Sequence, residues 1–328
     1  MGDFNSYWPV YKNLEEETLQ LTKYINFDDN QMRVYSMHIA DLIMRIVVEI
    51  ESISKELYKA NGGPDVFDDK GDIRDLYFDT DCIKYLNTQW NICEREIIVS
   101  CASFNFYKPD NKIIKPLHNA NKRGTSSSKW NKAYQAVKHD RRNNLYKGNI
   151  ENLISALGAL YILNIYYKDE VYQYESNGSF DNRLGSDIFA ATFVDAANSS
   201  ISEDDSDNSI DNNEKLKLSS ALCVIKYTDK SWEDMHTALV EYNSTLIDGL
   251  IKEPEFKRKL SVEIANKGES EISNIFKSLV EKMQMEYVKK HPPITFGKIM
   301  SNAKKEVILN KGKNIYTPKQ LKVVNGDA

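Results

Sequence analysis

The fold is decided by residues 128–167, which read SKWNKAYQAVKHDRRNNLYKGNIENLISALGALYILNIYY. Ser128 and Asn149 are residue types that cap helix N-termini with their side chains. The stretch therefore predicts one helix over 128–148 and a second, richer in Ala, Ile and Leu, from Asn149 to about Tyr167. Because the connection between them is only a few residues long, we expect the two helices to be antiparallel neighbours in a bundle.

Two more helices are predicted upstream by apolar residues at helical spacing. The first covers roughly Gln31–Ala60 and ends at residues 61–64, Asn-Gly-Gly-Pro, which combine a C-terminal glycine with a following proline. The second covers roughly Asp81–Ser100. Residues 1–29 are expected to form a loosely structured N-terminal extension with a short helix at its three consecutive glutamates. These segments predict a bundle of about four helices over residues 30–178.

The periodicity changes from helical to alternating downstream of the bundle. Asp187–Asp195 and Ser219–Thr228 predict two strands, which we interpret as a β-hairpin over residues 179–230. The loop over 202–214 carries six acidic residues and no basic one, a composition typical of disordered segments. The predicted fold class is mainly α, a helical bundle with an inserted β-hairpin and additional C-terminal helices. The C-terminal helices occupy residues 231–290, and a lysine-rich tail occupies residues 291–328.

The composition predicts a soluble, cytoplasmic protein with no membrane segment. No basic stretch precedes an apolar one at the N-terminus, as a secretory signal would require. The most apolar run, residues 150–167, is interrupted by Glu151 and two asparagines and falls short of the roughly 20 apolar residues of a membrane span. The 4 cysteines form no C-x-x-C pair, which favours free thiols in a reducing compartment over a disulfide framework.

A basic segment spans residues 122–147, with eight Lys or Arg residues and one acidic residue, Asp140, in a chain of net charge −5. Such a segment attracts the phosphate backbone of nucleic acids, although a solvated helix face has the same composition. Tyr134 is either a base-stacking side chain or part of the core. The residues that we expect to bind nucleic acid are Lys138, Lys132, Lys129, Arg123 and Tyr134.

His139 and Arg142 carry the chemistry that this segment suggests. On one continuous helix they would share a face, three residues apart. Histidine titrates near neutral pH and can accept a proton, and a guanidinium can hold a phosphate and stabilise charge that develops on it. These groups would suffice to cleave RNA through its 2′-hydroxyl. The predicted catalytic residues are His139, Arg142 and Arg141, and the alternative is an ordinary exposed helix surface.

Two residues outside the segment are candidates for supporting roles. Glu49 follows Arg45 by four residues, and Arg45 follows Asp41 by four, a spacing that predicts a ladder of ion pairs on an exposed helix face. The alternative is that Glu49 faces the basic segment and orients its histidine or arginine. His118 lies in the preceding loop, either as polar surface or as a second imidazole at the site.

The stretch WNKAYQAVKHDR at residues 130–141 resembles bacterial proteins of the HEPN superfamily with the signature W-x-x-x-Y-x-x-x-K-H-x-R. The resemblance covers roughly residues 30–170. It implies a HEPN-like helical bundle, often dimeric, and a metal-independent ribonuclease without a cofactor. It also implies a toxin–antitoxin or phage-defence role, in which the partners would be RNA, a second copy of the chain or a larger assembly, and a protein of the defence system.

The family motif is usually an Arg, a polar residue, several variable positions and then a His. Arg142 and Asn143 match its opening, but Lys147 and Gly148 stand where the His is expected, and His139 precedes the arginines. The resemblance therefore leaves two functions open. One is an RNA endonuclease that acts as effector or toxin, and the other is a catalytically inactive binding module or accessory subunit that senses or regulates a partner.

Overall fold

A computed structural model describes residues 5–174, 179–197, 218–292 and 294–312. The chain divides into two compact units, the first formed by residues 1–226 with 307–328 and the second by residues 227–306. The second unit is thus an insertion in the sequence of the first. Most of the regular structure is helical, which confirms the predicted class. No helix within the described ranges has both the length and the apolar character needed to cross a lipid bilayer.

The first unit combines seven described α-helices with short strands. The helices are α1 (Tyr7–Leu21), α2 (Met37–Ala60), α3 (Lys84–Trp90), α4 (Pro109–Lys112), α5 (Lys129–His139), α6 (Arg141–Asn144) and α7 (Ile150–Lys168). The strands are β1 (Phe27–Asp28), β2 (Ile97–Val99), β3 (Phe104–Asn105), β4 (Ile113–Ile114), β5 (Tyr172–Gln173), β6 (Phe189–Ala191), β7 (Phe193–Asp195), β8 (Cys223–Tyr227) and β9 (Lys305–Leu309). The end of β8 and the start of β9 belong to the second unit.

Helices α2 and α7 pack along each other at the centre of the first unit. The side chain of Ser36 caps α2 by accepting a hydrogen bond from the Ile39 N–H at 3.1 Å, and Asn149 caps α7 in the same way, as predicted. One apolar face of α2 is buried, whereas α7 is buried around almost its whole circumference. A helix that is apolar on all sides belongs in the interior, so α7 is the helix around which the unit is built.

The helix predicted at the three glutamates exists as α1, but it begins earlier, at Tyr7, and is packed, so the predicted loose extension is wrong. Tyr11 and Glu15 of α1 are fully buried. The Glu15 carboxylate accepts hydrogen bonds from the Tyr11 hydroxyl at 2.8 Å and from the backbone N–H groups of Asp187 and Ile188 at 3.0 and 3.1 Å. The Ser186 hydroxyl donates to the same oxygen. A run of three glutamates suggests solvent, but Glu15 is held inward by Lys12, one turn earlier on α1, and by Ser186 and its neighbours far along the sequence.

The predicted helix over Asp81–Ser100 is wrong in its second half. A π-helical turn, Phe78–Ile83, leads into α3, which ends at Asn91 in the left-handed conformation with φ 52°. The apolar residues beyond it form β2, which lies between β4 and β6 in an antiparallel three-stranded sheet. Asn tolerates left-handed backbone better than most residues, and it stops the helix before the β-branched residues begin.

The strand predicted over Ser219–Thr228 exists as β8, whereas the one predicted over Asp187–Asp195 is two short strands, β6 and β7, and the hairpin does not form. Strand β7 pairs in parallel with β8, with Phe193 opposite Cys223 and Val194 opposite Val224. Strand β6, next to β7 in sequence, instead pairs with β2. Parallel strands need a long crossover, which a hairpin cannot provide. The remaining sheets have the orders β5-β9-β8-β7 and β1-β3. The predicted acidic loop at 202–214 lies outside the described residues.

The second unit contains the helices α8 (Asp229–Lys252), α9 (Pro254–Lys267), α10 (Ile272–Lys290) and α11 (Ile294–Ser301). Its small core includes Phe256, whose ring meets that of Phe276 edge-on at 5.6 Å between centroids. Helices α9 and α10 are separate, because Gly268 adopts φ 88° between them. Part of the predicted tail forms α11 and β9, and residues 313–328 lie outside the described part of the chain.

Candidate nucleic-acid interface

The basic segment does not form one helix. The Ser128 side chain caps α5 as predicted, but α5 ends at His139 and α6 begins at Arg141. Asp140 between them has φ −150° and ψ 77°, outside the helical region, and its carboxylate accepts the Asn143 N–H at 3.2 Å. Aspartate is a strong N-cap residue, so it starts a new helix here. The prediction of one helix over 128–148 is therefore wrong.

His139 and Arg142 consequently lie on either side of a helix break and do not share one helix face. Both side chains are exposed. Neither makes a hydrogen bond or an ion pair with any residue that the structure describes. An imidazole and a guanidinium close together in sequence are thus both free to meet a ligand.

The remaining candidate cations at this junction have partners. Arg141 is half-buried and pairs with Asp41 of α2 at 3.0 Å. Lys138 is exposed and its ammonium group lies 3.3 Å from the hydroxyl of Tyr134, and 5.2 Å from the centre of that ring. Tyr134 itself is buried, so its ring packs in the core and is not presented to a base. Surface charge at the junction therefore comes from Lys138, Arg141 and Arg142.

The other predicted cations lie near the start of α5. Lys129 pairs with Glu151 at 2.6 Å, and Lys132 donates to the backbone carbonyl of Thr125 at 3.2 Å. Arg123 pairs with Asp79, which is discussed below. The predicted nucleic-acid-binding residues thus fall into two groups, one at each end of α5.

Arg123 belongs to a cluster of stacked and paired side chains. Its Nε lies 2.9 and 3.1 Å from the two carboxylate oxygens of the buried Asp79. Its guanidinium carbon lies 3.6 Å from the centre of the Tyr77 ring, and that of Arg74 lies 4.4 Å from it. Arg74 also makes a bidentate ion pair with Asp81 at 2.7 and 3.0 Å, which lowers the pKa of that carboxyl group. The cluster fixes Arg123 in place.

The predicted ladder of ion pairs on α2 does not form. Arg45 binds Glu17 of α1 through two hydrogen bonds of 2.6 and 2.7 Å, and Asp41 binds Arg141. Glu49 is half-buried and has no hydrogen-bonding or ionic partner in the described ranges. Nothing therefore links Glu49 to His139 or Arg142 in this structure.

His118 does not join His139. Its Nδ1 lies 3.6 Å from a carboxylate oxygen of Glu94. It lines a cavity of about 570 Å³ together with Lys129 and Lys132, at the start of α5, whereas His139 is at the other end of the helix. The structure therefore does not supply a second imidazole beside His139 from this loop.

The cysteines and the possible metal ligands do not form a second reactive site in the described part of the chain. All four cysteines are free thiols, as predicted, and Cys82, Cys93 and Cys223 are buried. Burial raises the pKa of each of these three thiols to about 12, which keeps them protonated near neutral pH. No group of three or more His, Cys, Asp or Glu side chains suited to a metal ion occurs among the described residues.

Several residues near the basic segment were not predicted from the sequence. Lys55 of α2, Tyr77, Asp79 and Asn131 line a cavity of about 860 Å³ with Arg123. Tyr77 and Asp79 lie in a segment between two predicted helices, and no local signal in the sequence marks it as part of a site. Of these residues, only Asn131 has a location that the sequence indicates. It follows the Ser128 cap by three residues and so lies in the first turn of α5.

Comparison with models of protein families, with curated proteins and with solved structures found no match to this chain.

Proposed function

We propose that this chain is a HEPN-like RNA endonuclease that works at the junction of α5 and α6. The observation that carries the proposal is the pair of exposed side chains there, His139 and Arg142, which have no partner among the described residues. Most other cations of the basic segment are held by neighbouring groups. A proton acceptor and a phosphate-binding group left free at one exposed corner suit a substrate that brings its own phosphate.

The roles of the residues follow from their chemistry. Neutral His139 accepts the proton of an RNA 2′-hydroxyl, whose oxygen then attacks the adjacent phosphorus. The bond from phosphorus to the 5′-oxygen breaks, water protonates the leaving oxygen, and the products end in a 2′,3′-cyclic phosphate and a 5′-hydroxyl. Arg142 holds the phosphate and stabilises its growing charge. Lys138 and Arg141 bind the flanking backbone. DNA lacks the attacking hydroxyl and is spared.

The biological setting rests on the resemblance of residues 130–141 to HEPN proteins. We place the chain in the cytoplasm, as an effector in phage defence or as the toxin of a toxin–antitoxin pair. A homodimer or larger assembly would bring two α5–α6 junctions within reach of one RNA. A partner protein would hold the activity in check, because an unregulated RNA endonuclease harms its own cell.

A binding module without catalysis is the second candidate, and the helix break favours it. His139 and Arg142 are separated by Asp140 and do not lie on one helix face. A protein that grips RNA or a regulatory partner through Lys138, Arg141 and Arg142 needs no such alignment. In this case the chain would be an accessory subunit that senses or regulates a defence complex.

The test is cleavage of a 5′-labelled single-stranded RNA by the purified full-length chain, beside DNA of the same sequence. The variants are His139→Ala and Arg142→Ala, and the matched controls are His236→Ala and Arg258→Ala in the second unit. We expect RNA cleavage that falls by roughly 10²- to 10⁴-fold in the two junction variants and is unchanged in the controls. Growth of a bacterial host that expresses each variant, with its total RNA examined, gives the same comparison in cells.

Three results would decide between the candidates. Binding of RNA without cleavage, lost in Arg142→Ala and kept in His139→Ala, would establish the binding module. Cleavage that survives both junction substitutions would place the active site elsewhere. Absence of both binding and cleavage, with intact RNA and normal growth in cells challenged with phage, would contradict the proposal as a whole.

A further inference from the structure

The first unit contains a second candidate binding site at the opposite end of α5. It is a cavity of about 860 Å³, lined by residues of α2, by the segment 75–79, by residues 123–127, by one face of α5 and by Lys147, which follows α6. Small-molecule sites typically enclose about 300–1,000 Å³. The volume is therefore sufficient for a ligand of the size of a nucleotide.

Arg123 gives this cavity a pre-positioned cation. Its Nε donates to both oxygens of Asp79, whose side chain is 7% exposed, and its guanidinium carbon lies 3.6 Å from the centre of the Tyr77 ring. The Nη atoms have no hydrogen-bond partner in the described ranges. A guanidinium that is held through Nε and left open at its Nη atoms is pre-organised to bind a phosphate oxygen, because little side-chain entropy is lost on binding.

Three lysines add to the positive charge of the lining. Lys55 and Lys147 form no ion pair with a described residue, and Lys132 donates only to a backbone carbonyl. Three carboxylates also line the cavity, and Asp79 is already committed to Arg123. The other two, Glu51 and Asp75, make no ion pair with the lysines. The lining therefore keeps a net positive charge of one, with lysines that are free to turn toward an anion.

Asn131 supplies a polar group that needs a partner. Its side chain is 3% exposed, its Nδ2 donates to the Ser127 hydroxyl at 2.8 Å, and its Oδ1 has no partner among the described residues. Because a hydroxyl can donate or accept, the amide can be turned to offer either its oxygen or its nitrogen. A buried amide atom without a hydrogen bond costs free energy. A ligand that satisfies it would recover that cost.

A second amide lies on the same face of α5. Gln135 follows Asn131 by four residues, one helical turn, and both line the cavity. Paired amide groups of Asn and Gln are well suited to the hydrogen-bonding edges of nucleobases. The lining thus offers both cations for a phosphate and amides for a base.

We propose that this cavity binds a nucleotide, with its phosphate at Arg123 and the lysines and its base at Asn131 and Gln135. The nucleotide is either free or one residue of an RNA strand. His139 follows Asn131 by eight residues, which is about 12 Å along a helix axis, so a strand bound at the α5–α6 junction could also reach the cavity. The nucleotide site itself does not depend on cleavage at His139, and only its use by an RNA strand rests on the proposed function.

The test is calorimetric titration of the full-length chain with AMP, GMP, CMP, UMP and inorganic phosphate. The variants are Lys55→Ala, Lys147→Ala and Asn131→Ala. The control is Lys59→Ala, one turn further along α2 and absent from the lining. We expect at least one nucleotide to bind more tightly than phosphate. Each lysine substitution in the cavity should weaken it about tenfold, and Asn131→Ala should reduce the preference among the four bases.

Competition with RNA separates the two sources of the nucleotide. If the cavity takes a residue of the strand, RNA displaces the nucleotide, and Lys55→Ala and Lys147→Ala weaken RNA binding. If the ligand is a free nucleotide, the two bind together. The proposal is overturned if no nucleotide binds, if phosphate binds as tightly as the best nucleotide, or if Lys59→Ala weakens binding as much as Lys55→Ala. The same titration on His139→Ala protein keeps this result separate from the fate of the nuclease.

Discussion

Gly148 lies so close to Ala40 of α2 that no side chain fits between them. A Cβ atom at position 148 would be 2.6 Å from the Ala40 Cβ and 3.0 Å from its Cα. Position 148 is one of the two at which the HEPN motif would place its histidine. Packing between α2 and the chain after α6 therefore closes that position to any larger residue. If the chain uses an imidazole at this corner, His139 is the candidate that the structure presents to solvent.

The close approach predicts that Gly148→Ala destabilises the protein. Forcing a methyl group into a packed contact typically costs about 1–3 kcal/mol, and we expect that loss in the free energy of unfolding, measured by urea denaturation. Gly148→His, which restores the motif on paper, should be worse and should add no RNA cleavage. The control is Gly297→Ala in α11, where a Cβ would meet nothing within 4 Å. Equal effects at the two glycines would refute this explanation.

The helix break predicts that two substitutions of Asp140 differ in their effect on stability. Asp140→Asn keeps an N-cap residue for α6 and removes the only negative charge of the basic segment. Stability should therefore change little, while RNA binding should strengthen about two- to fivefold at low salt. Asp140→Ala removes the cap and should cost about 0.5–2 kcal/mol. Fluorescence polarisation with labelled RNA and urea denaturation measure the two effects, and a weaker complex for Asp140→Asn would contradict the prediction.

Those parts of the fold that depend on local signals were predictable from the sequence. Ser128 and Asn149 cap helices because their side chains reach a backbone N–H only three residues away, and Asn61 ends α2 next to glycines that no helix favours. The break at Asp140 was also a local signal, since Asp is as good a cap as Ser. The residues around it nevertheless favour a continuous helix, so the sequence alone supports either arrangement.

Long-range partners explain what the sequence did not predict. Arg123 meets Asp79, Asp41 meets Arg141 rather than Arg45, and Glu15 turns inward to Ile188. Each pairing joins residues that are distant in the sequence. The sequence alone offers several other residues as equally good partners for each of them. The same holds for strand pairing, where β8 joins β7 in parallel although a hairpin has the same local pattern. The sequence therefore shows which residues are charged, but it does not predict which of them form ion pairs with one another.

The ion pair between Arg141 and Asp41 predicts a change in RNA binding with little change in stability. Both side chains are about half exposed, and such pairs contribute about 0–1 kcal/mol. Asp41→Asn should free Arg141 and tighten RNA binding at low salt. Arg141→Ala should weaken binding and reduce the slope of log K against log salt concentration by about 0.7, as expected for one phosphate contact on a single strand. An unchanged slope would show that Arg141 serves only to hold α2.

Cysteine burial predicts selective alkylation. The thiols of Cys82, Cys93 and Cys223 are buried with pKa values raised to about 12, whereas Cys101 is partly exposed. Treatment of the native protein with iodoacetamide near neutral pH should label Cys101 first, and the others only after unfolding in urea. Peptide mass spectrometry identifies the labelled residues. Early labelling of Cys223 would show that the sheet around β8 opens readily.

The buried carboxylate of Glu15 predicts the largest loss of stability among these substitutions. Glu15→Ala removes an acceptor from the Tyr11 hydroxyl and from the backbone N–H groups of Asp187 and Ile188. Each buried donor left without a partner costs about 1–3 kcal/mol, so the first unit should unfold at a markedly lower urea concentration.

Glu16→Ala, at the next and exposed position, is the control and should stay within about 0.5 kcal/mol of the natural protein. Glu15→Gln keeps one acceptor oxygen and should fall between the two, because its amide N–H group would face the Lys12 ammonium group, which pairs with the second carboxylate oxygen. Similar unfolding midpoints for Glu15→Ala and Glu16→Ala would mean that α1 does not depend on this contact.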